Sequence, residues 1–357
     1  MKNKLYTVLL SFCILQALSC KKDNRPLNLK PQAHSLENGI LSLSANGQLI
    51  DAIIDTTFNN ITVTVASESA EHNVTLNFRL ANGVTASINN TVVNSGIVLD
   101  LGKVVSFKIK SDDGSRSTSF TLSAQTELGY FGLSGSVVSQ NSLDRSYEFY
   151  FDQFDGSTFQ FINCGPASTT MAIKWADSTF MGRPVDARNL YLANGGWWDT
   201  GQIQAYLNIN GINSAVDTLD DVVNVVKTNI DHNNLLILNL DMNYIPLNSN
   251  FTQHVSKFYP TTPDWGHFIL VKGYKQVGST FYLDVYDPYS GGNKYSSILD
   301  LGQLMGKDRY YLSDDIKVAT NNWWPYAIAI APKGKKVNIA TIIRANNLKL
   351  VPKSFGR

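Results

Sequence analysis

Between residues 39 and 124, apolar and polar positions alternate with a period of two. The alternation runs through Leu41/Leu43, Ile61/Val63/Val65, Val74/Leu76/Phe78/Leu80, Val105/Phe107/Ile109 and Phe120/Leu122. Asn46-Gly47, Asn82-Gly83 and Asp112-Asp113-Gly114 break these runs with turn-forming residues. Short half-buried strands joined by regular turns predict an all-β sandwich over residues 38–125. From Gln125 to about Tyr147 the chain is rich in Ser, Gly and Asn and reads as a connection. Beyond it the period changes. Ala167, Met171, Ala172 and Trp175 recur at helical spacing behind Cys164-Gly165-Pro166, with Pro166 in the first turn, where its missing N–H costs nothing. Thr200 reads as the N-cap of a helix carrying Ile203, Tyr206 and Leu207. Thr218 reads as the start of another, with Asp221 three residues on and Val222, Val223, Val225 and Val226 behind it. Four apolar runs then predict strands: Leu235–Leu240, Phe268–Gly273, Phe281–Tyr286 and Tyr326–Ile330. Helices first and an antiparallel sheet later is the α+β order, predicted for residues 126–357.

The N-terminus has a different character. Lys2 and Lys4 precede an apolar run from Leu5 to Leu18 that is too short to span a bilayer comfortably. The run ends at Ala17-Leu18-Ser19-Cys20, which resembles a bacterial lipobox, although a larger aliphatic residue is more usual at the position of Ala17. The resemblance implies a signal peptide over residues 1–19, cleavage before Cys20 and a lipid anchor on its thiol. Lys21-Lys22-Asp23 resembles the charged export tag of surface lipoproteins in Bacteroidetes-type bacteria. Residues 20–37, polar and carrying Pro26 and Pro31, read as a tether. The β-sandwich pattern resembles the immunoglobulin-like modules that stand beside the anchor in such lipoproteins, which implies spacing or contact with carbohydrate or protein. The expected location is the cell envelope, anchored in the outer membrane through lipid.

Composition narrows the function. The 357 residues carry a formal net charge of +1 and no basic block, so nothing electrostatic argues for nucleic acid. A hydrophobic content of 43% supports well-filled cores rather than disorder. No H-E-x-x-H or paired-cysteine spacing suggests zinc, and no cofactor motif is present. With the signal removed, Cys164 has no cysteine partner except the anchor site, and an unpaired thiol in an exported protein is a candidate for reactivity. At a helix N-terminus the macrodipole and free N–H groups favour the thiolate, the nucleophilic form. The plainer reading of a lone cysteine is a small buried apolar residue.

A thiolate hydrolase needs a histidine to handle the proton and a group to orient that histidine. Of the five histidines, His34 and His72 fall in the tether and the β-region, His232 in a polar turn, and His254 in a polar segment before Pro260. His267 opens a strand behind Gly266, which leaves room for close approach. The next strand ends in Asp287-Pro288, where proline stops the ladder. That places Asp287 at the same rim as His267, with Asp284 as the fallback. Gln160 and Gln153, both upstream of Cys164, are candidate side-chain donors to an oxyanion.

Three motifs taken together, Asn163-Cys-Gly-Pro-Ala-Ser168, Gly266-His-Phe-Ile-Leu-Val-Lys-Gly-Tyr274 and Val285-Tyr-Asp-Pro288, resemble the papain-like cysteine peptidases of the bacteriocin-processing (double-glycine leader) type. The resemblance covers roughly the last two-thirds of the chain. It implies a papain-like domain with Cys164 as nucleophile, His267 as general base and acid, and Asp287 as orienter. Two features depart from the family. Its oxyanion glutamine corresponds in position to Thr158, between Gln153 and Gln160. The ABC exporter that usually accompanies leader processing has no counterpart here, so a double-glycine substrate is not carried over. The expected activity is hydrolysis of a peptide or amide bond in a peptide or protein substrate. Acyl transfer by the same triad is an alternative. Another is a catalytically inactive surface binding or adhesion module using the paired Trp197-Trp198 and Trp323-Trp324, whose plainer role is to line a cleft or core.

Overall fold

The computed structural model describes residues 39–296, 299–300 and 302–338. The expected signal peptide, Cys20, the expected tether and His34 lie outside the described residues.

The fold is β-rich. The alternating region forms β1 (Ile40–Ala45), β2 (Ile53–Asp55), β3 (Asn60–Val65), a short helix α1 (Glu68–Glu71), then β4 (Val74–Leu80), β5 (Val84–Ile88), β6 (Thr91–Val93), β7 (Ile97–Leu99), β8 (Val105–Ser111) and β9 (Ser117–Thr126). One sheet has the order β1-β4-β7 and the other β2-β3-β9-β8-β5-β6. All pairs are antiparallel except β3 with β9. The period-two positions Leu43, Ile61, Val63, Val74, Leu76, Phe107, Ile109 and Leu122 point into one shared core, as the alternation demands.

The predicted connection is not a linker. It contains helix α2 (Glu127–Tyr130), capped by the Thr126 hydroxyl, and strand β10 (Val137–Ser142). β10 escaped recognition because its sequence, Val-Val-Ser-Gln-Asn-Ser, has no buried face. Its backbone pairing, not its side chains, holds it in place.

The remainder builds a second core around a seven-stranded sheet. Its elements are α3 (Cys164–Ala176), α4 (Pro184–Leu190), α5 (Thr200–Ile209), β11 (Ser214–Thr218), α6 (Val222–Asp231), β12 (Leu235–Asp241), β13 (Gly266–Val277), β14 (Thr280–Tyr286), β15 (Arg309–Leu312), α7 (Ser313–Asn321) and β16 (Tyr326–Ile330). The strand order is β11-β16-β12-β13-β14-β15, and every pair is antiparallel. β13 is the long central strand. Its first half, residues 266–271, pairs with β12, and β10 takes over on residues 273–277. All seven residues of β12 are buried, which requires cover on both faces and explains its unbroken apolar run. Two helix starts differ from expectation. Thr200 is the first helical residue of α5, and Asp199 is its cap, accepting from Gly201 N. Thr218 closes strand β11, and α6 begins behind Asp221, whose side chain accepts from Asn224 N. An aspartate takes each cap because its charged oxygen accepts the free N–H groups and complements the helix dipole.

Candidate active site

Cys164 is the first helical residue of α3, a helix of which eleven residues are buried. Hydroxyls inside this helix turn back onto its own carbonyls, Thr169 Oγ1 to Gly165 O at 2.8 Å and Thr170 Oγ1 to Pro166 O at 2.7 Å. Ser168 Oγ instead donates across to Phe268 O on β13 at 3.2 Å. Gly165 makes the close approach possible: a Cβ there would lie 2.8 Å from Trp198 Cβ and 3.4 Å from the Phe268 ring. The start of α3 is thereby pressed against the strand that carries His267.

His267 Nε2 lies 2.7 Å from Asp287 Oδ1, which leaves Nδ1 as the ring nitrogen available to the Cys164 sulfur on the same cavity wall. Exposure is 4% for Cys164, 2% for His267 and 0% for Asp287. Burial alone pushes the imidazole down. The Asp287 charge and hydrogen bond, followed by the interactions with Cys164, outweigh it and raise the pKa to about 10. Burial likewise pushes Asp287 up, but the His267 charge and bond, the Tyr311 hydroxyl and the Tyr289 N–H hold it below the usual carboxylate range. Both oxygens of Asp287 are fully engaged. Oδ1 also accepts from Tyr289 N at 2.9 Å, and Oδ2 accepts from Tyr259 Oη at 2.8 Å and Tyr311 Oη at 2.5 Å. Asp284, the fallback, faces away from this cluster and binds Lys272 Nζ at 3.0 Å.

Gly266 has the close approach expected of it, toward an indole: a Cβ there would meet Trp323 Cζ2 at 2.2 Å. Backbone crowding also fixes Asp287. Its N–H donates to Gly306 O at 2.7 Å, and a Cβ on Gly306 would lie 2.0 Å from Asp287 O.

Cys164 and His267 open onto a cavity of about 340 Å³. Phe161, Trp197, Trp265 and Tyr289 give it aromatic walls, and Asp264 supplies a carboxylate. Gln153 lines it as well; Gln160 does not. The Gln160 carbonyl accepts from Gln153 Nε2 at 3.1 Å, and the Gln160 side chain is turned to the N–H of Gly156 at 3.2 Å. The chain therefore leaves Gln153, makes an excursion through an exposed turn and returns at its own neck. Position-counting from Cys164 lands on Thr158, at the exposed tip. Gln153 is itself held by its N–H to Pro288 O at 2.8 Å, one residue beyond Asp287.

The paired tryptophans divide. Trp198, Trp323 and Trp324 are buried, while Trp197 is 42% exposed and lines the cavity. His254, read as part of a polar segment, is buried between Phe131 and Tyr295 with Nε2 at 2.8 Å from Asp300. Sequence reasoning missed Arg188, Tyr259 and Tyr311. The tyrosines carry no local signal, since they reach Asp287 from 28 and 24 residues away. Arg188 sits in the seven-residue helix α4, Pro-Val-Asp-Ala-Arg-Asn-Leu, where it is buried beside Ala187, and nothing in that sequence marks it.

No protein-family model matches the chain, and no curated protein does. Among solved structures, a protein from Bacillus anthracis described as a C39-like peptidase is similar over 55% of this chain and all of its own length, at 13% identity and a TM-score of 0.34. A protein from Bacteroides thetaiotaomicron described as a glycoside hydrolase matches over 82% of this chain and 88% of its own, with 13% identity and a TM-score of 0.22. A protein from Bacteroides fragilis described as secreted matches 24% of this chain and 71% of its own, at 13% identity and a TM-score of 0.18.

Proposed function

We propose that this chain is a cysteine-dependent hydrolase of peptide or amide bonds, built on a papain-like domain. The observation that carries the reading is one constellation: a helix-terminal thiol and a buried imidazole that open onto one cavity, with a buried carboxylate bonded to the imidazole from behind. In this mechanism the Cys164 thiolate attacks the carbonyl carbon, and the C–N bond breaks as His267 gives its proton to the leaving amine. Water, deprotonated by His267, then attacks the thioester, and the C–S bond breaks to return the thiolate and release an acid. The helix-start N–H groups and the Gln153 amide, which has a second N–H beyond the one donated to Gln160 O, steady the oxyanion. The aromatic walls favour a substrate with bulky apolar groups beside the scissile bond.

The rest of the reading comes from sequence. The β-sandwich at residues 38–125 serves as an immunoglobulin-like spacer, and acylated Cys20 anchors the protein in the cell envelope. Mass spectrometry of the mature N-terminus tests the anchor: an unmodified Cys20 would remove it. For the activity, the test is alkylation of Cys164 by iodoacetamide across pH in the full chain, read at the Cys164 peptide by mass spectrometry. The expected result is fast reaction well below the free-thiol pKa of about 8.5, with the acid limb moved up by at least one unit in His267→Ala. A Cys164 that is inert until the protein is denatured would refute the hydrolase and favour a surface binding module.

A further inference from the structure

Arg188 is 1% exposed, yet among the described residues no carboxylate pairs with it. Its guanidinium is bonded entirely to neutral oxygens: Nε to Asn163 Oδ1 at 2.8 Å, Nη1 to Gly196 O at 2.7 Å and Nη2 to Ile162 O at 2.8 Å. A buried cation without a counter-ion is costly and persists where another part of the structure requires it. These three acceptors show what that part is. Ile162 and Asn163 are the two residues before Cys164, and Gly196 precedes Trp197. One guanidinium thus ties the approach to the thiol to the loop that carries a cavity wall. Gly196 has a φ of 118°, and Gly195, at a φ of 94°, lies where a Cβ would be 2.7 Å from the Phe159 ring; no ordinary residue would let this loop reach Arg188.

We propose that Arg188 is the positioning residue of the nucleophile: it fixes the backbone on both sides of the cleft mouth and sets a permanent positive charge behind Cys164, whose thiolate is its counter-ion. The proposal rests on the reading of Cys164 as a nucleophile. Burial lowers the basicity of the guanidinium, and the opposing influence is the Cys164 sulfur. The other titratable groups around the thiol are His267 from β13 and, across the cavity, Asp264 and Tyr289; Asp287 reaches it through His267. A fixed charge complements His267 in a specific way. The imidazolium gives up its proton during the reaction, whereas a guanidinium keeps its charge throughout.

The test compares the acid limb of Cys164 alkylation in wild type, Arg188→Met, Arg188→Lys and His267→Ala, each in the full chain. Arg188→Met is expected to raise the limb by about one unit or more, a tenfold loss of rate at pH values below it. Arg188→Lys, which keeps the charge but loses the forked bonds, should leave the limb close to wild type while slowing substrate turnover. Coincident limbs for wild type and Arg188→Met overturn the proposal. Should Arg188→Met not fold, His267→Ala decides: with Arg188 still in place its limb should stay below about 8.5, and a limb at or above that value overturns the proposal. An inert wild-type Cys164 overturns the hydrolase reading as well. A reactive, His267-dependent thiol that ignores Arg188 overturns this proposal alone.

Discussion

Replacing Asp287 by Asn isolates the charge of the orienting residue from its shape. The carboxylate accepts four hydrogen bonds, two on each oxygen. An amide offers one acceptor oxygen and one donor nitrogen, so two of these partners must change roles. The Tyr289 N–H cannot turn, but the hydroxyls of Tyr259 and Tyr311 can rotate and accept. The amide oxygen therefore settles at the Oδ1 position, facing His267 and Tyr289 N, and its NH2 faces the two phenols. The imidazole keeps its orientation and loses the negative charge that outweighs its burial. Exchanging a charge-assisted bond of about 1.5–3 kcal/mol for a neutral one of about 1 kcal/mol removes about 0.5–2 kcal/mol from the imidazolium form. That is about a 2- to 30-fold fall in the thiolate–imidazolium population. The assay is Cys164 alkylation near pH 6, with circular dichroism to establish that Asp287→Asn is folded. A folded Asp287→Asn protein that alkylates at the wild-type rate would refute the role given to the carboxylate.

Gly266→Ala places a methyl group against the Trp323 indole; we expect a loss of about 1–3 kcal/mol in urea unfolding together with slower Cys164 alkylation, and an unchanged midpoint would contradict the packing. Lys272 is buried among Asp144 at 2.8 Å, Asp284 at 3.0 Å and Asp308 at 2.9 Å. Lys272→Met should cost about 3 kcal/mol near pH 8 and less below pH 6, because burial already raises Asp284 to about 6 and protonation removes the orphaned charge; an equal cost at pH 8 and pH 5 would argue against it. His267 binds its proton more tightly folded than unfolded, so its contribution to stability is complete below about pH 6.5 and is lost as pH rises toward about 10. The thermal midpoint of wild type relative to His267→Ala should therefore narrow between pH 7 and pH 10, and a gap that widens over that range would refute the sign.

Parts of the site that follow from local pattern are legible in the sequence. Cys164 on a helix start and His267 at the mouth of a strand can be read because each sits beside a contiguous apolar run whose burial is dictated by composition. Asp287 is legible because Pro288 ends its strand. What stayed hidden depends on contacts that the sequence does not bring together. β10 has no apolar face and is held by its backbone. Gln153 is legible as a candidate, but the choice between it and Gln160 is hidden, because an excursion whose length no periodicity reports separates Gln153 from the thiol. His254 stands in a polar segment, Thr-Gln-His-Val, and is enclosed by Phe131 and Tyr295 from distant segments. Tyr259 and Tyr311 each act through one long-range hydrogen bond and Arg188 through three, and nothing in their own neighbours marks them.

The junction between the two cores has a mechanical consequence. β9 ends at Thr126, and the same residue caps α2. Phe131, directly behind that helix, gives its carbonyl to His254 N at 2.9 Å, and β10 then lies along the second half of the strand that begins with His267. No slack separates the two parts, so a pull on the leading sandwich is delivered straight into the sheet that holds the imidazole. The same tautness dictates where the chain can be severed. A protease cut or a truncation placed after β10 would strip the central strand of its neighbour, whereas one placed before Glu127 would keep that neighbour intact.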